Sequence, residues 1–240
     1  MLRILVPCLL AASAFAQPPL IDNRAIVNAA SFMPPRLPGG AIAQGSVFSI
    51  FGARLGPASP SQVSSFPLNT TLSNVSITVT QGSTTVNAIP LYVSASQINA
   101  IMPSNAPLGT ASVQVINANL KNNPMTVIVN ANAFGIFTAL GAGLGPGILQ
   151  NFVTQENQPI NSATIAAQPG QVITLWGTGL GPVSADNVAA TATNLPTQVE
   201  VFVGGVPATS ILYSGRTPCC SGIDQIVFQV PPVSSSASTV

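Results

Sequence analysis

An all-β chain of two tandem β-sandwiches, the second incomplete at its C-terminal end, is the fold this sequence predicts. Three observations predict it. One motif occurs twice: Gly45–Pro57 reads GSVFSIFGARLGP and Gly170–Pro182 reads GQVITLWGTGLGP, 125 residues apart with 6 of the 13 positions identical. Such internal repetition marks a duplicated supersecondary unit. Short runs alternate apolar and polar residues, as Val75, Ile77 and Val79 do with Ser76, Thr78 and Thr80, which is the period of a half-buried strand. Finally, 22 prolines and 20 glycines punctuate the chain at short intervals, and no long stretch carries a helical period.

Residues 1–16 read as a secretory signal peptide. Arg3 is its positive end, Ile4 to Phe15 its apolar run, and Ala14-Phe15-Ala16 its small-x-small cleavage site. Gln17 to Arg24 is a polar lead, and 26–32 (IVNAASF) an edge strand. In the repeated motif Val47, Ser49 and Phe51 alternate with Phe48, Ile50 and Gly52. That is a strand buried on both faces, which Gly52 and Gly56-Pro57 stop. Then come 75–80, a turn at Gln81-Gly82-Ser83, a return over 84–94 with Pro90 at an edge or bulge, 97–102, and the pair 109–118 and 125–132. About seven strands in roughly 110 residues is a β-sandwich pattern.

The first unit thus spans 17–138, a linker 139–159, and the second unit 160–240. In the second unit, Ile160 to Ile165 echoes Val27 to Phe32, and Val199, Val201 and Val203 echo Val75, Ile77 and Val79. Leu212-Tyr213-Ser214 echoes Leu91-Tyr92-Val93, and Gln225-Ile226 echoes Gln97-Ile98. Tyr and Gln are 5 residues apart in the first copy and 12 in the second, so Gly215 to Asp224 holds a seven-residue insertion. After Val230-Pro231 only 232–240 follow, where the first unit has two more strands; Ser236 to Val240 has the texture of Thr110 to Val113. Missing strands leave an edge that pairs with another chain by β-augmentation.

The order VNAASF, GSVFSIFGARLGP, LYVSASQINAIMP and GTASVQV resembles the uncharacterised repeated domain of exported proteins from Solibacter-type Acidobacteria. The second copy, with WGTGLGP, VEVFVGGVPA and DQIVFQVP, also resembles IPT/TIG domains. The resemblance covers about residues 26–240. It implies an immunoglobulin-like fold for both units and carries over no catalytic residues.

Chemistry is sparse. The chain is 47% hydrophobic and 5% charged, with no histidine, which removes the Ser-His-Asp and Cys-His arrangements. Without the leader's Arg3, five basic and five acidic residues balance, so no basic footprint for nucleic acid exists. No later run is apolar enough to span a membrane. Asp22, Glu156, Asp186, Glu200 and Asp224 read as separate solvated charges, with Glu200 pointing out of its strand and Asp186 and Asp224 in loops. Phe51, Trp176, Tyr92 and Tyr213 occupy repeated positions and read as core. Cys219-Cys220 is the unusual feature. In an oxidising compartment the pair can form a vicinal disulfide, strained because adjacent Cα atoms lie about 3.8 Å apart; free or intermolecular thiols are the alternative, and zinc would need further ligands. The insertion that carries them reads as an exposed loop.

These readings lead to an exported, non-catalytic module without cofactor, at the cell surface, outside the cell or in the periplasm. Its expected role is structural, adhesive or assembling, with other protein domains or chains as partners. The alternative is a carbohydrate-binding accessory module that takes a polysaccharide.

Overall fold

A computed structural model describes residues 17–232. The expected signal peptide and the tail strand at 236–240 lie outside the described residues. The described chain is all-β and contains no helix.

Eleven strands build the first unit: β1 Leu20–Asn28, β2 Ile42–Ala43, β3 Val47–Ala53, β4 Ser61–Gln62, β5 Thr71–Leu72, β6 Val75–Gln81, β7 Thr84–Val93, β8 Gln97–Ile101, β9 Gly109–Asn117, β10 Leu120–Lys121 and β11 Met125–Asn130. Their order is β1-β3-β8-β7-β6-β9-β11-β2. Two layers face one another across a core that includes Phe48, Ile50, Ile77, Ile98, Val113 and Val127. The arrangement is sandwich-like but nearly a barrel, because β7 belongs to both layers. Its first half pairs with β6 and its second half with β8. The change falls between Ala88, opposite Ile77, and Ile89, opposite Ile101, and a register shift follows between Pro90 and Tyr92, where proline cannot donate to the ladder.

Seven strands follow: β12 Gly135–Ile136, β13 Leu149–Asn151, β14 Val172–Thr178, β15 Phe202–Val203, β16 Val206–Pro207, β17 Ile211–Arg216 and β18 Asp224–Gln229. One sheet runs β12-β14-β18-β17, with β13 also on β14. The strands β15 and β16 form a separate hairpin around Gly204-Gly205.

The duplication holds at the level of register. Phe51 lies opposite Gln97, and its counterpart Trp176 lies opposite Gln225. Tyr92 pairs with Asn99 after a bulge, and Tyr213 pairs with Val227 after a bulge at the same place.

Three expectations change. The first strand begins at Leu20, inside the expected polar lead, because a register shift between Ile21 and Ile26, with Arg24 at φ 59°, lets the lead join β3. It ends at Asn28, whose Oδ1 accepts the N–H groups of Ala30 and Ser31 and turns the chain.

Part of the expected linker 139–159, Leu149–Asn151, is a strand of the second unit's sheet, and so is Gly135–Ile136 just before it. The strands β12 and β13 pair with β14 as the two halves of β1 pair with β3, so Asn151 stands where Asn28 stands. The short bulge of β1 becomes the excursion 137–148. Residues 160–165 contribute one isolated bridge, Ile160 to Gln150, rather than a strand.

Gly52 and Gly177 do not stop their strands. Both lie inside them, where the edge strand passes so close that a Cβ at Gly52 would fall 1.9 Å from the Leu20 carbonyl oxygen, and one at Gly177 2.4 Å from that of Gly135.

Candidate functional site

The two units meet along a groove of about 520 Å³. Strand alternation sets its floor. Phe48 and Ile50 of β3 point into the core, so Val47, Ser49 and Phe51 point the other way. Ser49 lies opposite Asn99, Asn99 opposite Tyr92, and Tyr92 opposite Gln62. One cross-strand row therefore carries polar groups over four strands. The Ser49 hydroxyl and the Gln97 amide both donate to Asn99 Oδ1, each at 2.9 Å. That leaves Asn99 Nδ2 and Gln97 Oε1 without a protein partner among the described residues.

One wall is the loop after β4, with Phe66 38% exposed on the rim. Its far end is tied to the second unit by the Leu68 N–H on the Asn187 carbonyl, 2.8 Å. Phe32, Phe137 and the insertion residues Cys219, Cys220 and Ser221 form the other wall. Both cysteines are exposed, as the insertion predicts, and their sulfurs lie at bonding distance with Cα atoms 3.8 Å apart. Reciprocal turns, Thr217 N–H to Ile223 O at 3.0 Å and Ile223 N–H to Cys220 O at 3.1 Å, close the loop. Gly222 seats it against the first unit: a Cβ there would lie 2.5 Å from Val47 Cγ2. Among the described residues no charged side chain lines the groove.

A buried polar staple underlies it. Arg216 and Asp224, the last residue of β17 and the first of β18, are 3% and 0% exposed and form an ion pair with Nε 2.9 Å from Oδ1. These two atoms make no hydrogen bond of ordinary geometry, so the contact is charge pairing. Arg216 also donates to Gly181 O at 3.0 Å and, across the junction, to Gly45 O. Asp224 Oδ2 accepts the N–H groups of Gly179 and Leu180 at 2.7 and 2.8 Å. Burial pushes the Asp224 carboxyl above its ordinary range, opposed by the Arg216 charge and those two N–H groups. A buried charge persists only when paired and hydrogen-bonded.

Asp224 is thus not the solvated loop charge the sequence suggests. The insertion supplies Arg216 above it, and the partners come from distant stretches of chain. Asp186 is also engaged: its carboxylate accepts the N–H and hydroxyl of Ser104 in the first unit, both at 2.7 Å. Glu200 is exposed, as its place beside Val199 and Val201 implies. Among the described residues no three of His, Cys, Asp and Glu gather as metal ligands would.

The repeated aromatics are not core. Tyr92, Tyr213, Phe51 and Trp176 are all half-buried and stand outside the core clusters. The reason is the alternation itself: each follows or faces the outward positions of its strand. Trp176 Nε1–H donates to Gln150 Oε1 at 2.7 Å, and Phe51 packs on Phe32 with ring centroids 5.9 Å apart. The groove residues Gln62, Phe66, Gln97 and Asn99 were not singled out from the sequence. The readable signal was QINA, in which Gln97 and Asn99 alternate with Ile98 and Ala100.

Comparison with protein-family models, characterised proteins and solved structures finds no match. No helix of the structure is long and apolar enough to cross a membrane.

Proposed function

We propose that this chain is an exported, non-catalytic module of two immunoglobulin-like, IPT/TIG-like sandwiches with a structural, adhesive or assembly role at the bacterial cell surface. One observation carries the assembly role. In the first unit Ile50, Leu55, Ile77 and Ile98 are fully buried in a core to which β9 and β11 contribute Val113, Val115, Val127 and Val129. Their counterparts Leu175, Leu180 and Ile226 are 9, 2 and 3% exposed, and with the half-buried Val201 they border an open cleft of about 460 Å³ whose rim carries Phe202, 60% exposed. An apolar cleft beside the β15–β16 hairpin, whose outer edges have no strand partner among the described residues, is suited to receive a strand from another chain.

The test uses residues 17–240 and a peptide copying Gly109–Asn117, the strand that covers the first unit's core. Added peptide should slow amide hydrogen exchange in 172–229 and leave the first unit unchanged. Equal protection of both units in the free monomer, with no response to peptide, would refute the strand-accepting role.

The ring-and-amide lining of the groove between the units favours a second reading, a carbohydrate-binding accessory module.

A further inference from the structure

We infer that the groove between the two units is a binding site for a neutral saccharide segment. The inference rests on the carbohydrate-binding reading and adds the place, the contacts and the charge class of the ligand.

Four rings border the cavity: Phe32, Phe66, Tyr92 and Phe137. They come from different parts of the chain, before β3, after β4, in β7 and after β12, and the fold brings them around one space. A sugar ring offers an apolar C–H face that packs on aromatic carbon, and equatorial hydroxyls that seek donors and acceptors at its edge. The floor supplies both. Asn99 Nδ2 presents donors and Gln97 Oε1 an acceptor, because Asn99 Oδ1 already holds the Ser49 and Gln97 donors at 2.9 Å. Gln62 adds a third amide at the end of the same cross-strand row. A largely apolar cleft with a few convergent polar groups, within roughly 300–1,000 Å³, is the ordinary form of a small-ligand site.

Charge selects among the saccharides. No Lys, Arg, Asp or Glu among the described residues lines the cavity. Arg216 and Asp224, which flank the cysteine loop in sequence, are buried and neutralise each other. A uronate or sulfated sugar would lose its hydration without gaining a counter-charge. An uncharged segment loses nothing of that kind.

The walls are preset. The Phe66 loop is tied to the second unit through Leu68 and Asn187, and the cysteine loop is seated on Val47 through Gly222. The site therefore exists only when both units are present and joined. Cys219 and Cys220 contribute an uncharged sulfur surface to the rim.

The experiment is calorimetric titration of residues 17–240 with neutral hexasaccharides of the cello-, xylo-, malto-, laminari- and chito- series. Oligogalacturonate serves as the charged comparison. At least one neutral series should bind, and Phe66→Ala, Tyr92→Ala and Gln97→Ala should each weaken it about tenfold or more. Phe66 and Gln97 are partly exposed, so their variants keep the melting temperature, which separates lost binding from lost fold. No binding by any neutral series would overturn both this inference and the carbohydrate reading. Binding unchanged by all three substitutions would overturn the groove as its place and leave that reading standing. Tighter binding of oligogalacturonate would overturn the charge argument.

Discussion

Thr178 Oγ1 accepts the backbone N–H of Val47 at 2.9 Å, across 131 residues of chain. The two residues belong to the two copies of the repeated motif. The duplicated strands are therefore not only equivalent but joined, end to side, by a side chain that only the second copy carries: Thr178 stands where the first has Ala53. The same hydroxyl donates to Gly222 O, so one threonine ties the motif of one unit to the motif of the other and to the cysteine loop.

Thr178→Val keeps the shape and removes both bonds. It leaves the Val47 N–H buried without a partner, which costs about 1–3 kcal/mol. Urea denaturation should show that loss. Amide exchange at Val47 and in 217–223 should rise more than elsewhere. A loss below about 0.5 kcal/mol would mean that the junction is held without it.

Arg216→Ala strands the Asp224 carboxylate and frees the carbonyls of Gly45 and Gly181. Removing one member of a buried pair costs about 3–5 kcal/mol. The expected signature is a large fall in melting temperature. An exposed surface pair would lose about 1 kcal/mol or less, so the size of the drop decides between staple and ornament.

Gly52→Ala and Gly177→Ala each drive a methyl group into a neighbouring backbone carbonyl. Overpacking against rigid backbone costs about 1–3 kcal/mol, and Gly56→Ala meets the Ser94 carbonyl at a milder 2.9 Å. Thermal melts of the three variants should rank Gly52→Ala below Gly56→Ala. The reverse order would mean that β1 moves away freely.

Tyr213 donates its phenol proton to Arg216 O at 2.6 Å, and burial raises its ionisation above the ordinary 10.0. A group whose folded pKa is raised contributes stability that is fully present below the unfolded value and is lost as pH rises through the folded one. The contribution is thus intact below about pH 10 and disappears above it. Absorbance at the phenolate band, taken as the difference between the native chain and Tyr213→Phe, should titrate above 10. That variant should also flatten the alkaline loss of stability.

The repeat made β3, β7 and β8 and their counterparts β14, β17 and β18 readable, with Pro90 marking the bulge before Tyr92, because alternation and Gly/Pro punctuation mark each of these strands locally. What escaped was set by long-range partners. Asn151 could not be matched with Asn28, since the excursion 137–148 splits the strand it ends and a second Asn, Asn161, lies in a more familiar string. Asp224 read as a surface charge because its cation comes with an insertion and its other ligands lie in the loop after β14. Tyr92 read as core because repetition says that a position matters, and only the register says which face it is on. The groove left only the alternation of Gln97 and Asn99 with Ile98 and Ala100 in the sequence, as its rings converge from four separate segments.

The continuity of β7 has a thermodynamic meaning. One unbroken strand carries hydrogen bonds to both layers of the first unit, so neither layer can open without breaking the other's ladder, and the unit melts as one block. In the second unit the corresponding path is interrupted: β16 ends at Pro207 and β17 begins at Ile211, with the Ala208 N–H on Val201 O and the Gln229 N–H on Ser210 O as the backbone bonds of the gap. That gap is a seam along which the hairpin can part from its sheet at low free energy while the neighbouring unit stays shut.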